Sequence, residues 1–159
     1  LTIYEEKKQG MTEPSKMNMD AWSAVSLAST YGGMVIHQAG VTAPHGLEHP
    51  ASGMRNITHG RGLAPLTPVI YRRTIDAAPE KFAVISKCLG GTNENDCVSV
   101  IEHLLDCLDL RTTLSREGVL AEDVEWMTKN AFKVSAAGIQ NHPKVFTEEE
   151  VRRIYLEAL

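Results

Sequence analysis

The sequence predicts an all-α protein, and three observations carry that prediction. Apolar residues recur at steps of three and four in several separate segments. No stretch of five or more residues alternates cleanly between apolar and polar. Thr147-Glu148-Glu149-Glu150 matches a capping box, in which the Thr147 hydroxyl takes the amide of Glu150 and the Glu150 carboxylate reaches back to the cap amide. That box opens a helix whose inner face is Val151, Ile154, Tyr155 and Ala158.

Taken in order, Leu1 to Gln9 reads as the tail of a helix stopped by Gly10, with turn chemistry in Thr12-Glu13-Pro14-Ser15. Asn18 to Gln38 reads as a long helix with Trp22, Val25, Ala28, Gly32 and Val35 on its buried face. Gly32-Gly33 interrupts it. A helical glycine costs about 1 kcal/mol against alanine, so the pair predicts close approach of another element there. Residues 60 to 76 and 79 to 89 are predicted helical, with Pro65 and Pro68 kinking or restarting the first. Val98, Ile101, Leu104 or Leu105, and Leu108 mark a helix after Asn93 to Asp96, and Val124, Met127, Ala131 and Val134 mark another from about Ala121. Trp22, Val25, Ile101, Leu105, Met127 and Ile154 are the predicted core.

With 159 residues and 43% hydrophobic side chains, the chain is predicted to be one helical domain over 1–159. A net charge of −4 offers no footprint for nucleic-acid phosphates or anionic lipid, so neither partner is expected. No apolar run approaches the roughly 20 residues that span a bilayer, and the amino end holds no signal-peptide core. Cys88, Cys97 and Cys107 are odd in number and lack a Cys-x-x-Cys pair, which fits a reducing cytoplasm better than a disulfide framework.

The chemistry concentrates in Pro44-His45-Gly46-Leu47-Glu48-His49-Pro50 and Thr58-His59-Gly60-Arg61-Gly62-Leu63. On a helix, His45 and His49 leave one face a turn apart. His59 follows ten residues later, across a break expected at Pro50 and Gly53 that folds a second helix back over the first. Imidazole is a ligand of choice for zinc and iron, so a metal site is one reading; three capping or hydrogen-bonded histidines near helix ends are the other. His45-Gly46-Leu47-Glu48-His49 also satisfies H-x-x-E-H, the inverted zincin pattern, in which two histidines hold zinc and Glu48 activates water. That site needs a later carboxylate, for which Glu102 and Glu125 are candidates.

Gly32-Gly33-Met34-Val35-Ile36 through His45, then His49-Pro50, then His59-Gly60 and Leu63-Ala64, resembles the central motif of the iron-containing (group III) alcohol dehydrogenases. Leu114 to Val119 with Asp123 is similar to that family's L-x-x-x-G-V-x-x-x-D segment, and Asn141 to Leu159 to its closing helix. The resemblance covers nearly the whole chain. It implies a dehydroquinate-synthase-like helical domain in which His45 and His59 supply two of four protein ligands to a divalent metal, iron or else zinc. It also implies that His49 sits in the cleft and relays the alcohol proton, that Ile36 lines the substrate pocket, and that NAD or NADP accepts hydride from a small alcohol or aldehyde in the complete enzyme. A homodimer is the assembly expected. The family's other two ligands come from an upstream D-x-x-x-H helix, and no Asp here has His four residues later. The nucleotide-binding domain is not in these 159 residues either, and Gly90-Gly91 is no substitute. The chain is therefore expected to be a carboxy-terminal fragment, inactive in isolation. Thr58 before His59, Arg61-Gly62 after it, and His142 between Asn141 and Pro143 depart from the family pattern. Two other readings stay open: an inverted-zincin hydrolase, and a helical interaction module without catalysis.

Overall fold

The structure, a computed structural model, describes residues 2–10 and 18–159, so the turn expected at Thr12 to Ser15 lies outside the described residues. Every regular element described is helical. Where the sequence predicts one domain, the contacts divide the chain into two compact units, Leu1–Gly40 and Val41–Leu159.

In the first unit α1 (Thr2–Lys8) stops at Gly10, whose φ of +72° is the left-handed conformation glycine adopts at no steric cost. The Glu6 carboxylate accepts from the Asn18 amide at 2.6 Å and from the Trp22 indole N–H at 3.0 Å. Asn18 caps α2 (Met19–Ala39), its Oδ1 accepting from the Ala21 amide at 3.0 Å. The helix runs unbroken through Gly32-Gly33, and a Cβ at either glycine would meet no heavy atom of the described residues within 4 Å. No residue of α2 is buried; Val25 is 58% exposed. Apolar spacing marks a face that can be covered without supplying the surface that covers it, which is why Val25 leaves the predicted core and Val35 the predicted buried face.

The second unit holds α3 (Ala43–Arg55), α4 (His59–Arg72), α5 (Pro79–Cys88), α6 (Cys97–Cys107), α7 (Asp123–Val134), α8 (Ala136–Gln140) and α9 (Glu148–Ala158). Its main core joins Leu47 of α3, Leu66 and Ile70 of α4, Met127 of α7 and Ile154 and Tyr155 of α9, all fully buried. The Tyr155 hydroxyl donates to the Leu47 carbonyl at 2.6 Å, which satisfies a phenol that burial otherwise isolates. Burial, with the neighbouring Glu48 charge, pushes that hydroxyl's pKa far up. Ala78, Phe82 and Cys97 form a smaller cluster, bridged to the main one by Tyr71, whose ring meets Phe82 edge-on at 5.0 Å. Ile101 and Leu105 are only partly buried and Val134 is exposed, so the cores of α6 and α7 are narrower than their apolar spacing predicts.

Helix α4 keeps Pro65 and Pro68 inside it, and α3 keeps Pro50, where kinks or breaks were expected. Each proline forgoes one helical hydrogen bond, but all three rings are buried and their packing offsets the loss. Between α6 and α7, Leu114 and Val119 are fully buried around Gly118 at φ +94°, and the Leu114 amide donates to the Ala158 carbonyl at 2.8 Å. Asp123 takes the Leu120 amide at 2.8 Å and the Arg55 guanidinium at 2.9 and 2.6 Å, and Arg55 holds its carboxyl below the usual range. Through Asp123 the Leu-Gly-Val-Asp segment thus pins the end of α3.

Each of those fully buried apolar side chains contributes roughly 1.5 to 3 kcal/mol. Adding a chelator to the purified chain is therefore expected to leave its helical circular dichroism unchanged; loss of helicity would show that metal, not the core, holds the fold.

Candidate metal centre

The turn between α3 and α4 places the third histidine. Helix α3 ends at Asn56, a left-handed residue at φ +53° whose amide donates to the Ser52 carbonyl at 2.8 Å, and asparagine tolerates that conformation well. Ile57 is buried, Thr58 stands at the cap, and His59 is the first residue of α4. The chain therefore reverses at Asn56 to Thr58, not at Pro50 and Gly53.

His45, His49 and His59 come together as their spacing predicts. Ring centroids are 5.0 Å apart for His45 and His59, 5.7 Å for His49 and His59, and 6.3 Å for His45 and His49. One donor atom from each lies within 4.8 Å of the other two, the only such cluster of three among the described residues. Nε2 of His59 is 3.0 Å from Nδ1 of His45. Two nitrogens each about 2.1 Å from one ion, at angles of about 90 to 109°, stand about 3.0 to 3.4 Å apart, so this spacing suits a shared cation. Burial lowers the His45 pKa, with the His59 and His49 rings adding to the shift and Glu48 opposing it, which favours the neutral imidazole that a metal needs. His49 is exposed, with Nδ1 3.5 Å from the Ser135 hydroxyl.

Glu48 overturns the inverted-zincin geometry. A general base must face an open position beside the metal, yet Glu48 is fully buried. One of its oxygens meets the Ser52 hydroxyl and the other meets Nδ1 of His59. Gly62 makes the space, since a Cβ there would stand 2.8 Å from Glu48 Cγ. Glu102 pairs with Arg72 and Arg111, and Glu125 with Lys129, so both candidate third ligands are engaged elsewhere. Arg61, the other departure beside His59, forms a two-pronged pair with Glu117 at 2.9 and 2.6 Å and ties the start of α4 to the Gly118 loop.

Ile36 is 47% exposed on α2, in the first unit. His37 is likewise exposed on α2, and His103 is exposed on α6 with Nε2 3.6 Å from the Cys107 sulfur. His142 is buried. Sequence reasoning missed the Glu48 to His59 contact; the one visible signal was the i, i+4 spacing of Glu48 and Ser52 on a helix.

The profile of the Fe-containing alcohol dehydrogenase family, C-terminal, matches residues 2–159. The chain belongs to that family. Among curated relatives, sulfoacetaldehyde reductase of Bilophila wadsworthia is 25% identical over 158 residues, covering 93% of this chain and 38% of its own length. The 1,3-propanediol dehydrogenase of Citrobacter freundii is 27% identical over 149 residues, covering 89% and 38%. The chain thus spans under two-fifths of these curated relatives. An archaeal halo-thermophilic Red Sea brine pool alcohol dehydrogenase has a solved structure that matches with a TM-score of 0.87 at 27% identity, over 99% of this chain and 41% of that one. A 1,3-propanediol oxidoreductase structure matches at 0.83 and 26%, over 99% and 42%. The helical architecture is therefore the one this family uses. No helix among the described residues is long and apolar enough to cross a membrane.

Proposed function

We propose that this chain is the metal-binding part of an alcohol dehydrogenase, with His45 and His59 as nitrogen ligands to a divalent metal, iron or else zinc. The observation that carries the proposal is the 3.0 Å approach of the two histidine nitrogens inside a three-imidazole cluster, in a chain whose whole length matches the family. Such an ion, when bound, polarises an alcohol or carbonyl oxygen as a Lewis acid. His49, exposed beside the pair, exchanges protons with solvent and relays the alcohol proton at its imidazole.

NAD or NADP takes the hydride in the complete enzyme, and the substrate is a small alcohol or aldehyde, supported by relatives named for 1,3-propanediol and sulfoacetaldehyde. Two nitrogen donors are fewer than the three protein ligands of a catalytic zinc site, so further ligands complete the set and the 159 residues alone do not oxidise alcohols. A cytoplasmic location, supported by three free thiols, and a homodimer complete the proposal.

Calorimetric titration of zinc into the purified chain tests the ligand assignment. His45→Ala and His59→Ala are expected to abolish binding, while His49→Ala keeps most of it. Loss with His49→Ala and retention with His59→Ala would restore the H-x-x-E-H reading. Absence of binding in the unsubstituted chain would favour a helical module without metal chemistry.

A further inference from the structure

We infer that Glu48 is a positioning residue that fixes the tautomer and ring orientation of His59, so that His59 presents an unprotonated Nε2 to the metal. The inference rests on the assignment of His59 as a ligand.

Three observations converge on it. A fully buried carboxyl group is costly unless its oxygens are hydrogen-bonded, and Glu48 has found a partner for each. On one side stands the Ser52 hydroxyl, which also lies 3.0 Å from the Ile57 carbonyl. On the other stands Nδ1 of His59. An ionised carboxylate only accepts, so beside it Nδ1 of His59 carries the proton that it donates. A neutral imidazole holds one ring proton, which leaves Nε2 of His59 as a lone pair. That nitrogen is the one 3.0 Å from Nδ1 of His45.

The sequence around the pair is fitted to this contact. Any side chain at position 62 would meet Glu48, since a Cβ there lies 2.8 Å from its Cγ and 3.0 Å from its Cδ. A glycine at that helical position gives up helix propensity and gains room for the carboxylate. Ser52, one turn after Glu48 on α3, holds the other oxygen. With a metal bound at Nε2, carboxylate, histidine and metal would stand in series, an arrangement that fixes the ligand's tautomer and raises its basicity.

The proposal is tested in the full chain, first without metal. Nitrogen-15 NMR near pH 8 is expected to show His59 with its proton on Nδ1. In Glu48→Ala the proton should shift to Nε2, the preferred tautomer of an unconstrained imidazole. Glu48→Gln should keep the Nδ1 tautomer, because its amide oxygen still accepts. Zinc titration should then show Glu48→Ala weakened roughly 10- to 100-fold, Glu48→Gln by less, and Gly62→Ala weakened by displacing the carboxylate. A wild-type proton on Nε2, or an Nδ1 proton that persists in Glu48→Ala, overturns the inference even if zinc binds. Equal zinc affinity in wild type and Glu48→Ala also overturns it. If the unsubstituted chain binds no zinc, the ligand reading fails while the tautomer comparison still decides the role of Glu48. Circular dichroism on each variant separates a misfolded chain from a repositioned ring, and Gly62→Ala, which keeps Glu48 in the chain but moves its carboxylate, gives a second route if Glu48→Ala does not fold.

Discussion

Leu47→Ala is expected to lower the stability of the chain by about 3 to 5 kcal/mol, measured as the shift in denaturation midpoint at constant slope. Leu47 is fully buried among residues from four helices and is one of the largest side chains with no exposure. Truncation removes its transfer free energy and leaves a cavity that rigid helices close only in part. Its carbonyl also takes the buried Tyr155 hydroxyl, so a shift of the α3 backbone would strand a phenol 108 residues away. Val25→Ala provides the contrast. Val25 is mostly exposed, and its change should fall within about 0.5 kcal/mol. A Leu47→Ala midpoint no further displaced than that of Val25→Ala would refute this account of the core. Because Leu47 lies between His45 and His49, the same cavity is expected to loosen the imidazole cluster, and zinc affinity should fall along with stability.

How much of this was legible in the sequence depended on how local the cause was. The capping box at Thr147 formed as predicted, with the Glu150 amide 3.3 Å from the Thr147 hydroxyl, because both partners sit within one turn. Helical spacing made His45 and His49 legible on one face, whereas the reversal before His59 came at Asn56 to Thr58 and not at the break expected at Pro50 and Gly53. What the sequence hid was nonlocal. Nothing in the pattern of α2 tells whether a covering surface is present. Nothing in Pro50, Pro65 or Pro68 shows that buried rings let a helix pass through them. Glu48 in an H-x-x-E-H string reads as a base facing water, and only the packing of Gly62 against it turns it into a buried partner of His59. Arg61, noted as a departure, is explained by Glu117, 56 residues distant.

His142 carries the last expected result: stability should fall as pH is lowered from about 6.5 toward 4. The residue reads in the sequence as an insertion into the closing motif, yet it is buried, stacked on Phe146 at 5.5 Å, with Nε2 2.9 Å from the Thr74 hydroxyl. Thr74 gives its own proton to the Ile70 carbonyl at 2.8 Å, so it accepts from His142 and the ring proton sits on Nε2. Nδ1 has no hydrogen-bond partner among the described residues, and protonating it would place an unpaired charge in the core. Burial accordingly lowers the His142 pKa from 6.5 to about 4. In that interval the unfolded chain binds a proton that the folded chain refuses, so the unfolding free energy rises with pH. At 1.36 kcal/mol per unit, the full interval is worth about 3 kcal/mol, present above pH 6.5 and lost by pH 4. Asp123, held down by Arg55, loses its own contribution only below the usual carboxylate range, which keeps the upper part of the window for histidines. His45, also lowered, titrates in the same direction, so the comparison must be between proteins that both keep it. Denaturant unfolding of wild type and His142→Gln from pH 8 to 4.5 isolates the effect: the variant should start less stable and show a flatter acid limb. Parallel pH profiles for the two proteins would show that His142 takes up its proton inside the fold without cost.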